Sequence, residues 1–217
     1  MRLTKASARG NVDEMDRLVA KGADIDFVGK DGITPLYWLM VTEKYPNKVG
    51  FQHLVDLGAD PLRFHTPSGR TAFLISARHP DPDYLTILLK SGVDPNFKHP
   101  KEPSLPTALY HAIFSRNFEH IQLLLNYGAD IEFKNAVGDV PLHETRVSNW
   151  RAAYILLENG ADYMAKTGVG GHTIVYWIEN NRWYPPTDDS IDWRQKVVDY
   201  LRAKGVEVKP WMPSEEE

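Results

Sequence analysis

The residues of this sequence that could do chemistry are, first, its histidines. Eight occur, at positions 53, 65, 79, 99, 111, 120, 143 and 172. Imidazole is the commonest metal ligand and a general base near neutral pH. None of the eight belongs to an HExxH motif or to a pair spaced along one helix face beside an acid, which are the patterns typical of metal sites. We therefore predict no catalytic histidine and no metal site.

Two further groups of residues could also take part in catalysis or in binding a cofactor. The segment Gly168-Val169-Gly170-Gly171 is similar to a phosphate-binding loop, but no lysine follows it and no strand is predicted before it. Asp188 and Asp189 could serve as general acid and base. They lie in a polar segment just before a predicted helix, where acids commonly cap the helix and interact with its dipole. We predict a turn and a solvated loop, hence no enzyme active site and no cofactor.

Composition excludes several other classes of protein. The chain has 217 residues, 42% of them hydrophobic and 25% charged, which is typical of a folded protein. It contains no cysteine, so a disulfide framework, a zinc ribbon and a cysteine nucleophile are excluded. The net charge is −4 and the pI is near 6.1. Nucleic acid is not expected as a partner, because binding phosphate needs a basic surface.

No membrane segment or signal peptide is predicted. The longest apolar run is Leu36 to Val41, whereas a membrane-spanning helix needs about 20 residues. The first twenty residues carry seven charged side chains, which a signal peptide's apolar core does not tolerate. As given, the chain is expected to be cytoplasmic. A periplasmic or lipid-anchored location would require that an N-terminal leader has been trimmed.

The elements that position these residues recur along the chain. The triplet Gly-Ala-Asp begins at residues 22, 58, 128 and 160, with variants at 92 and 205, so that successive glycines are 36, 34, 36, 32 and 45 residues apart. A second motif follows each of the first five by ten to fifteen residues. Its copies are Thr34-Pro35-Leu36-Tyr37, Thr71-Ala72-Phe73-Leu74, Thr107-Ala108-Leu109-Tyr110, Val140-Pro141-Leu142-His143 and Thr173-Ile174-Val175-Tyr176.

Both motifs have mechanical explanations. Glycine ends a helix, because the chain there turns through a left-handed conformation that other residues disfavour. Threonine caps the next helix through its side-chain oxygen, and proline fits the first helical position. Amphipathic stretches precede the glycines, for example Leu85, Leu88 and Leu89. Each unit is therefore predicted as a turn, a helix, a short reversal and a second helix.

This pattern resembles the ankyrin repeat over nearly the whole chain. Residues 31–36 and 109–130 match the family pattern most closely. The resemblance implies an all-α ankyrin-repeat solenoid of about six repeats with short β-hairpin turns. A single domain over residues 1–212 is expected, with repeat boundaries near 30, 67, 104, 136 and 169. Residues 213–217 form an acidic tail that is predicted to be disordered.

The repeats also depart from the family pattern. Extra residues lie within 42–50, 98–103 and 183–189. The last helix is predicted from about Ile191 to Lys204. Trp193, Val197 and Leu201 are expected to face inward, and Arg194, Asp199 and Arg202 to form the polar outer face of a terminal repeat.

The resemblance implies a binding surface on the concave face, formed by hairpin tips and inner helices. Its mixture of aromatic and charged side chains is typical of protein interfaces. Trp38 and Trp177 are equally compatible with core positions, and His143 is expected to hydrogen-bond between neighbouring repeats. The predicted partner-binding residues are Lys30, Asp31, Ile33, Trp38, Arg70, Arg78, His79, His111, Phe114, Asp139, Glu144, His172, Trp177 and Trp183.

The expected function is therefore non-catalytic protein binding. The chain is similar to short bacterial ankyrin arrays that act as immunity proteins against type VI secretion effectors, some of them phospholipases. That likeness implies one protein partner, a toxin or effector enzyme. The chain is expected to be a monomer or to form a 1:1 heterodimer. A cytoplasmic adaptor or regulator, or a host-directed effector that bridges proteins reversibly, is the second hypothesis. An enzyme or ligand-binding protein is the third.

Overall fold

The structure is a computed structural model that describes residues 2–29, 32–42, 47–63, 70–99, 106–146, 148–180 and 188–209. These residues form eleven α-helices and one 3₁₀ helix, and they form no β-sheet. The chain divides into two compact units, Met1–Phe97 and Lys98–Glu217. The predicted helical ankyrin-repeat architecture is thus confirmed at the level of fold class. The number of repeats, the β-hairpin character of the turns and the single domain over 1–212 stay predictions.

The first unit is built from six short helices in two layers. Helices α1, α3 and α5 contact one another in sequence, and α2, α4 and α6 form the second layer against them. The bounds are α1 Arg2–Ala8, α2 Val12–Ala20, α3 Pro35–Val41, α4 Lys48–Asp56, α5 Ala72–Ser76 and α6 Asp83–Lys90.

The second unit repeats this arrangement with one change. Helix α7 packs on α8, the 3₁₀ helix packs on α9 and α7, and α9 lies between α8 and α11. The bounds are α7 Ala108–Phe114, α8 Phe118–Asn126, the 3₁₀ helix Pro141–Thr145, α9 Trp150–Glu158, α10 Ile174–Asn180 and α11 Asp188–Ala203.

Helix starts follow the predicted capping chemistry in part. The hydroxyl of Thr34 accepts a hydrogen bond from the Tyr37 amide at 3.3 Å, and that of Thr71 accepts one from the Leu74 amide at 3.1 Å. Thr107 precedes α7 without such a bond. At Val140 no hydroxyl is available, and the segment after it forms a 3₁₀ helix rather than the predicted α-helix.

The helix-ending glycines and the core agree with the repeat pattern. All six predicted glycines have φ between 80° and 92°, the left-handed region that glycine tolerates at no cost. Leu85, Leu88, Ile121 and Leu124 are fully buried. Because each helix pair buries one apolar stripe against its neighbour, the repeated spacing of leucines is what builds the core.

The last helix corrects one expectation. Helix α11 begins three residues earlier than predicted, and Val197 and Leu201 are buried as expected. Arg194, however, does not face outward: its Nη2 donates to the carbonyl of Ile178 at 2.7 Å, and burial lowers the pKa of its guanidinium. Ile178 lies in the last turn of α10, where carbonyls have no partner within the helix. Arg194 therefore caps α10.

Candidate protein-binding surfaces

His143 is fully buried and structural. Its Nδ1 accepts a hydrogen bond from the Val140 amide at 3.2 Å, so the ring proton resides on Nε2. Nε2 then donates to the carbonyl of Ala165 at 3.1 Å. Nδ1 thus binds the start of its own 3₁₀ helix, and Nε2 joins that helix to the segment that precedes α10. No nitrogen remains for proton transfer or for a metal.

Asp139 is also buried, and its carboxylate is used internally. Oδ2 binds Nη1 of Arg146 at 3.1 Å, and Oδ1 accepts the amide of Gly168 at 3.0 Å. A Cβ at Gly168 would lie 1.8 Å from the carbonyl oxygen of Val137, so only glycine allows this contact. These bonds hold two successive turns together. The sequence placed Asp139 on an exposed surface, whereas the structure buries it, and we leave it out of the surface proposed below.

Glu144 lies half-buried beside this network. Its Oε1 accepts a hydrogen bond from Nδ2 of Asn135 at 3.1 Å. Burial raises the pKa of the carboxyl, the nearby Arg146 opposes this and Asp139 adds to it. The sequence predicted Glu144 as a partner contact, which stays a prediction, and its carboxylate is partly withdrawn from water.

Three aromatic rings of the second unit, His172, Tyr176 and Trp177, form what we call the aromatic cluster. The His172 and Tyr176 rings stack with centroids 3.7 Å apart, and the Trp177 ring meets Tyr176 edge-on at 5.2 Å. The guanidinium of Arg146 lies 5.9 Å from the Trp177 ring centroid. Tyr176 remains 39% exposed, whereas His172 and Trp177 are half-buried. Such rings are rigid and amphipathic, and they are enriched at the centres of protein interfaces.

Sequence reasoning named His172 and Trp177 but missed Tyr176. A signal was present, since residues 172 and 176 are four apart and Tyr176 takes the place that His143 holds in the preceding copy of the motif. At that place His143 is buried. The side chain of Tyr176 is instead exposed in α10.

Apolar side chains project from the same unit. Phe114, at the end of α7, is 57% exposed, and Val169 is 77% exposed. Val137 is exposed as well, and the close approach of Gly168 to its carbonyl places Val137 and Val169 on neighbouring turns. The sequence predicted Phe114 but neither valine. The available signal was a β-branched residue next to glycine in a predicted turn, where polar residues are usual.

The first unit has a separate apolar cleft of about 160 Å³. The predicted residues Ile33 and Trp38 both line it, and both are half-buried. The other residues that line it are Thr4, Lys5, Phe27, Gly29 and Thr34. Lys30 and Asp31, which the sequence placed at this turn, lie outside the described residues, as does Trp183.

The remaining predicted residues divide between surface and local structure. Arg70 and Arg78 are exposed. His79 is half-buried, and its Nδ1 accepts the amide of Asp81 at 3.0 Å while its ring meets Tyr84 edge-on. His111 is half-buried on α7. The structure therefore brings Ile33 with Trp38, and His172 with Trp177, into two local surfaces.

The described ranges include most of the side chains considered above for metal binding and acid–base chemistry. No group of three or more histidine and acidic residues is positioned there to hold a metal ion. The carboxylate of Asp189 accepts a hydrogen bond from Nε1 of Trp193 at 3.1 Å, which occupies one of the two acids considered above. No described helix is both long enough and apolar enough to cross a bilayer.

Comparison with known proteins agrees with the fold. An ankyrin-repeat family model matches residues 105–133. The crystal structure of EF0377, an ankyrin repeat protein, superimposes with a TM-score of 0.68 at 21% identity, covering 93% of this chain and 96% of that one. The chain therefore has the ankyrin-repeat fold, and its match to the family model lies within residues 105–133.

Two known proteins are similar in sequence to parts of this chain. Protein PhlB of Serratia liquefaciens is 32% identical over 147 residues, which are 65% of this chain and 59% of PhlB. The ankyrin repeat and KH domain-containing protein mask-1 of Caenorhabditis elegans is 35% identical over 85 residues, 38% of this chain and 3% of mask-1. In both cases the match spans less than two thirds of the relative.

Proposed function

We propose that the chain is a non-catalytic protein-binding scaffold, and that it acts as an immunity protein that neutralises a secreted bacterial toxin. The partner class favoured by the sequence resemblance is a type VI lipase effector. The similarity to PhlB of Serratia liquefaciens over 147 residues supports a bacterial setting. Binding would inactivate the toxin by covering or distorting the entrance to its active site.

The aromatic cluster is the observation that carries this proposal. The Tyr176 ring stacks on His172 and contacts Trp177 edge-on, so it is ordered before any partner binds. A pre-ordered aromatic side chain loses little conformational entropy on binding. The exposed Phe114 and Val169 add apolar area to the same unit. Rigid aromatic side chains are common at interface hot spots.

The affinity that an immunity role needs is within reach of such a surface. A nanomolar complex corresponds to about −12 kcal/mol. Standard interfaces bury about 800 Å² on each partner, and a few hot-spot residues commonly lose about 2–4 kcal/mol each when truncated. Stacked helices move little on binding, which reduces the ordering cost.

The experiment begins with affinity capture of the tagged chain from its native cells, followed by mass spectrometry and sizing of the complex. One dominant stoichiometric partner with hydrolase motifs is expected. Its enzymatic activity, including lipase activity, is then measured with and without the chain. Several substoichiometric partners would instead favour a reversible adaptor and contradict the immunity role.

A matched pair of variants tests the surface itself. Tyr176→Ala removes the exposed ring of the aromatic cluster, and we expect the Kd for the captured partner to rise at least about tenfold, or about 1.4 kcal/mol. Tyr127→Ala is the control, because Tyr127 is 40% exposed against 39% for Tyr176 but lies beyond α8, outside the cluster. Equal effects of the two substitutions on the Kd would refute the assignment.

A further inference from the structure

The cleft of the first unit is too small for a typical free ligand. Its volume is about 160 Å³, whereas pockets for drug-sized molecules and cofactors usually measure about 300–1,000 Å³. Its walls are largely apolar, formed by Phe27, Ile33 and Trp38. An apolar recess of this size suits a single side chain of another protein, in the manner of an interface anchor.

Cations gather around this cleft. Lys5 lines it directly. Thr4 and Phe27 are shared with an adjoining cleft that Arg2 and Lys21 line. Arg2, Lys5 and Lys21 are all exposed. The two clefts therefore share part of their walls, and three cations lie along them.

These cations take part in none of the ion pairs among the described residues of the first unit. Within the ranges that the structure describes, the ion pairs of the first unit use Arg17, Lys48 and His53. None involves Arg2, Lys5 or Lys21. The carboxylate lining the adjoining cleft belongs to Asp24, and its Oδ1 already accepts the amide of Asp26 at 2.9 Å. The described residues that line the two clefts therefore include three cations and one carboxylate, although the whole chain carries a net charge of −4.

We propose that this surface binds an acidic segment of the partner protein that carries an aromatic or large aliphatic side chain. The apolar side chain enters the cleft between Phe27 and Trp38, and flanking carboxylates bind Lys5, Arg2 and Lys21. Burial of the apolar side chain supplies affinity, and the charges supply orientation and a faster association rate. This inference rests on the proposed scaffold function and specifies the chemistry of one segment that the scaffold recognises.

Nucleic acid fits the same surface less well. A phosphate backbone is bound by many cations spread along a groove, and its affinity comes mainly from them. Here one cation lines a recess with aliphatic and aromatic walls, and two more line the adjoining cleft. A peptide with one apolar residue between carboxylates matches both features.

The test uses the ¹⁵N-labelled full chain and a synthetic acidic peptide, GEDWEEG, observed by NMR. We expect saturable shifts of the Trp38 indole and Lys5 amide signals. Binding should weaken between about 50 and about 200 mM salt, because added ions screen the charges. Two peptides serve as controls: GEDAEEG lacks the aromatic residue and GKKWKKG reverses the charge. Each is expected to bind at least about tenfold more weakly.

Variants of the protein complete the test. Lys5→Glu should weaken GEDWEEG binding at least about tenfold, whereas Lys90→Glu, an exposed cation on α6 of the same unit, should change it less than about twofold. Phe27→Ser should weaken binding similarly, with Val49→Ser as its control, because both side chains are exposed. Unchanged helicity by circular dichroism shows that each variant is folded.

Any of three binding results would overturn the proposal, and a fourth result concerns a competing occupant. The three are no shift at millimolar peptide, equal binding of GEDWEEG and GEDAEEG, or equal effects of Lys5→Glu and Lys90→Glu. The chain's own last residues, PWMPSEEE, are the competing occupant. If a full-length variant with glutamine at 215, 216 and 217 shifts the Trp38 signal without peptide, the occupant is that segment and the proposal is wrong. Because no toxin is used, failure here leaves the immunity role to be judged by its own assay.

Discussion

At the scale of single residues, hydrogen bonds and exposure distinguish side chains that stabilise the fold from side chains that are available to a partner. His143 is the clearest example, because both ring nitrogens are bonded and the ring is fully buried. Tyr176 differs from it, since its ring is packed on one side and open to solvent on the other. Residues of the first kind are expected to set stability, and residues of the second kind to set affinity.

His143→Ala is predicted to destabilise the second unit strongly. It leaves the Val140 amide and the Ala165 carbonyl without partners, and a buried polar group left unpaired costs about 1–3 kcal/mol. We expect a loss of at least about 2 kcal/mol in the free energy of unfolding, measured with urea. His53→Ala is the control: its partner Asp16 is exposed, so the loss should stay below about 1 kcal/mol. Similar losses for both variants would contradict the structural role of His143.

Glu144→Gln is predicted to change stability with pH in a defined direction. Burial raises the pKa of Glu144, so the folded state binds this proton more tightly than the unfolded chain does. Its contribution to stability is therefore lost as pH rises from the ordinary glutamate value of about 4.3 through the folded-state value. The variant keeps an acceptor for Asn135 but carries no charge. Its unfolding free energy relative to wild type should increase over that range.

Urea unfolding at a series of pH values measures this difference. Glu119→Gln, at an exposed position of α8, provides the baseline for removing one surface charge. A stability difference that moves toward the wild type as pH rises would contradict the effect assigned to burial.

Two residues show why site prediction from sequence was incomplete. Asp139 and Arg194 are polar and were expected on the surface. Their hydrogen-bond partners are the Gly168 amide for Asp139 and the Ile178 carbonyl for Arg194. These groups lie 29 and 16 residues away along the chain. The periodicity of the sequence does not predict such hydrogen bonds, because each one depends on how one repeat packs against the next.

At the scale of elements, the repeat motifs predicted helix positions well because their causes are local. A threonine cap and a helix-ending glycine act within one turn of their helix. Thr34 and Thr71 behave as expected. The segment Pro141–Thr145 forms a 3₁₀ helix, a difference that the Val-Pro-Leu-His motif alone did not reveal. The contact between α4 and α1 was equally hidden, because Gly50 matched no motif.

Gly50→Ala is predicted to destabilise the first unit, although alanine has the higher helix propensity. Alanine within a helix normally stabilises by about 0.5–1 kcal/mol relative to glycine. Here its Cβ would lie 1.9 Å from the carbonyl oxygen of Ser7, so α1 and α4 would have to separate. Gly22→Ala is the control, because it meets nothing within 4 Å and has φ +85°, which costs about 1–2 kcal/mol. Urea unfolding should show the larger loss for Gly50→Ala, and a neutral or stabilising result would contradict the packing.

At the scale of the whole molecule, the fold was predictable because every repeat packs mainly on its neighbours. A period near 34 residues therefore predicts most of the architecture. The similarity in fold to EF0377 over 93% of the chain agrees with this prediction. The surfaces were less predictable. Tyr176 and Val169 are exposed because the elements packed beside them leave them uncovered, and that depends on all the surrounding side chains.

Titration of the captured partner enzyme with the purified chain tests the proposed function most directly. The partner's activity is measured at increasing molar ratios, and the complex is sized in parallel. An immunity scaffold predicts that activity falls in proportion to added chain and vanishes near one equivalent. Tyr176→Ala should require a clear excess, and Tyr127→Ala should match the wild type. Full activity at a large excess of chain would contradict the proposed role.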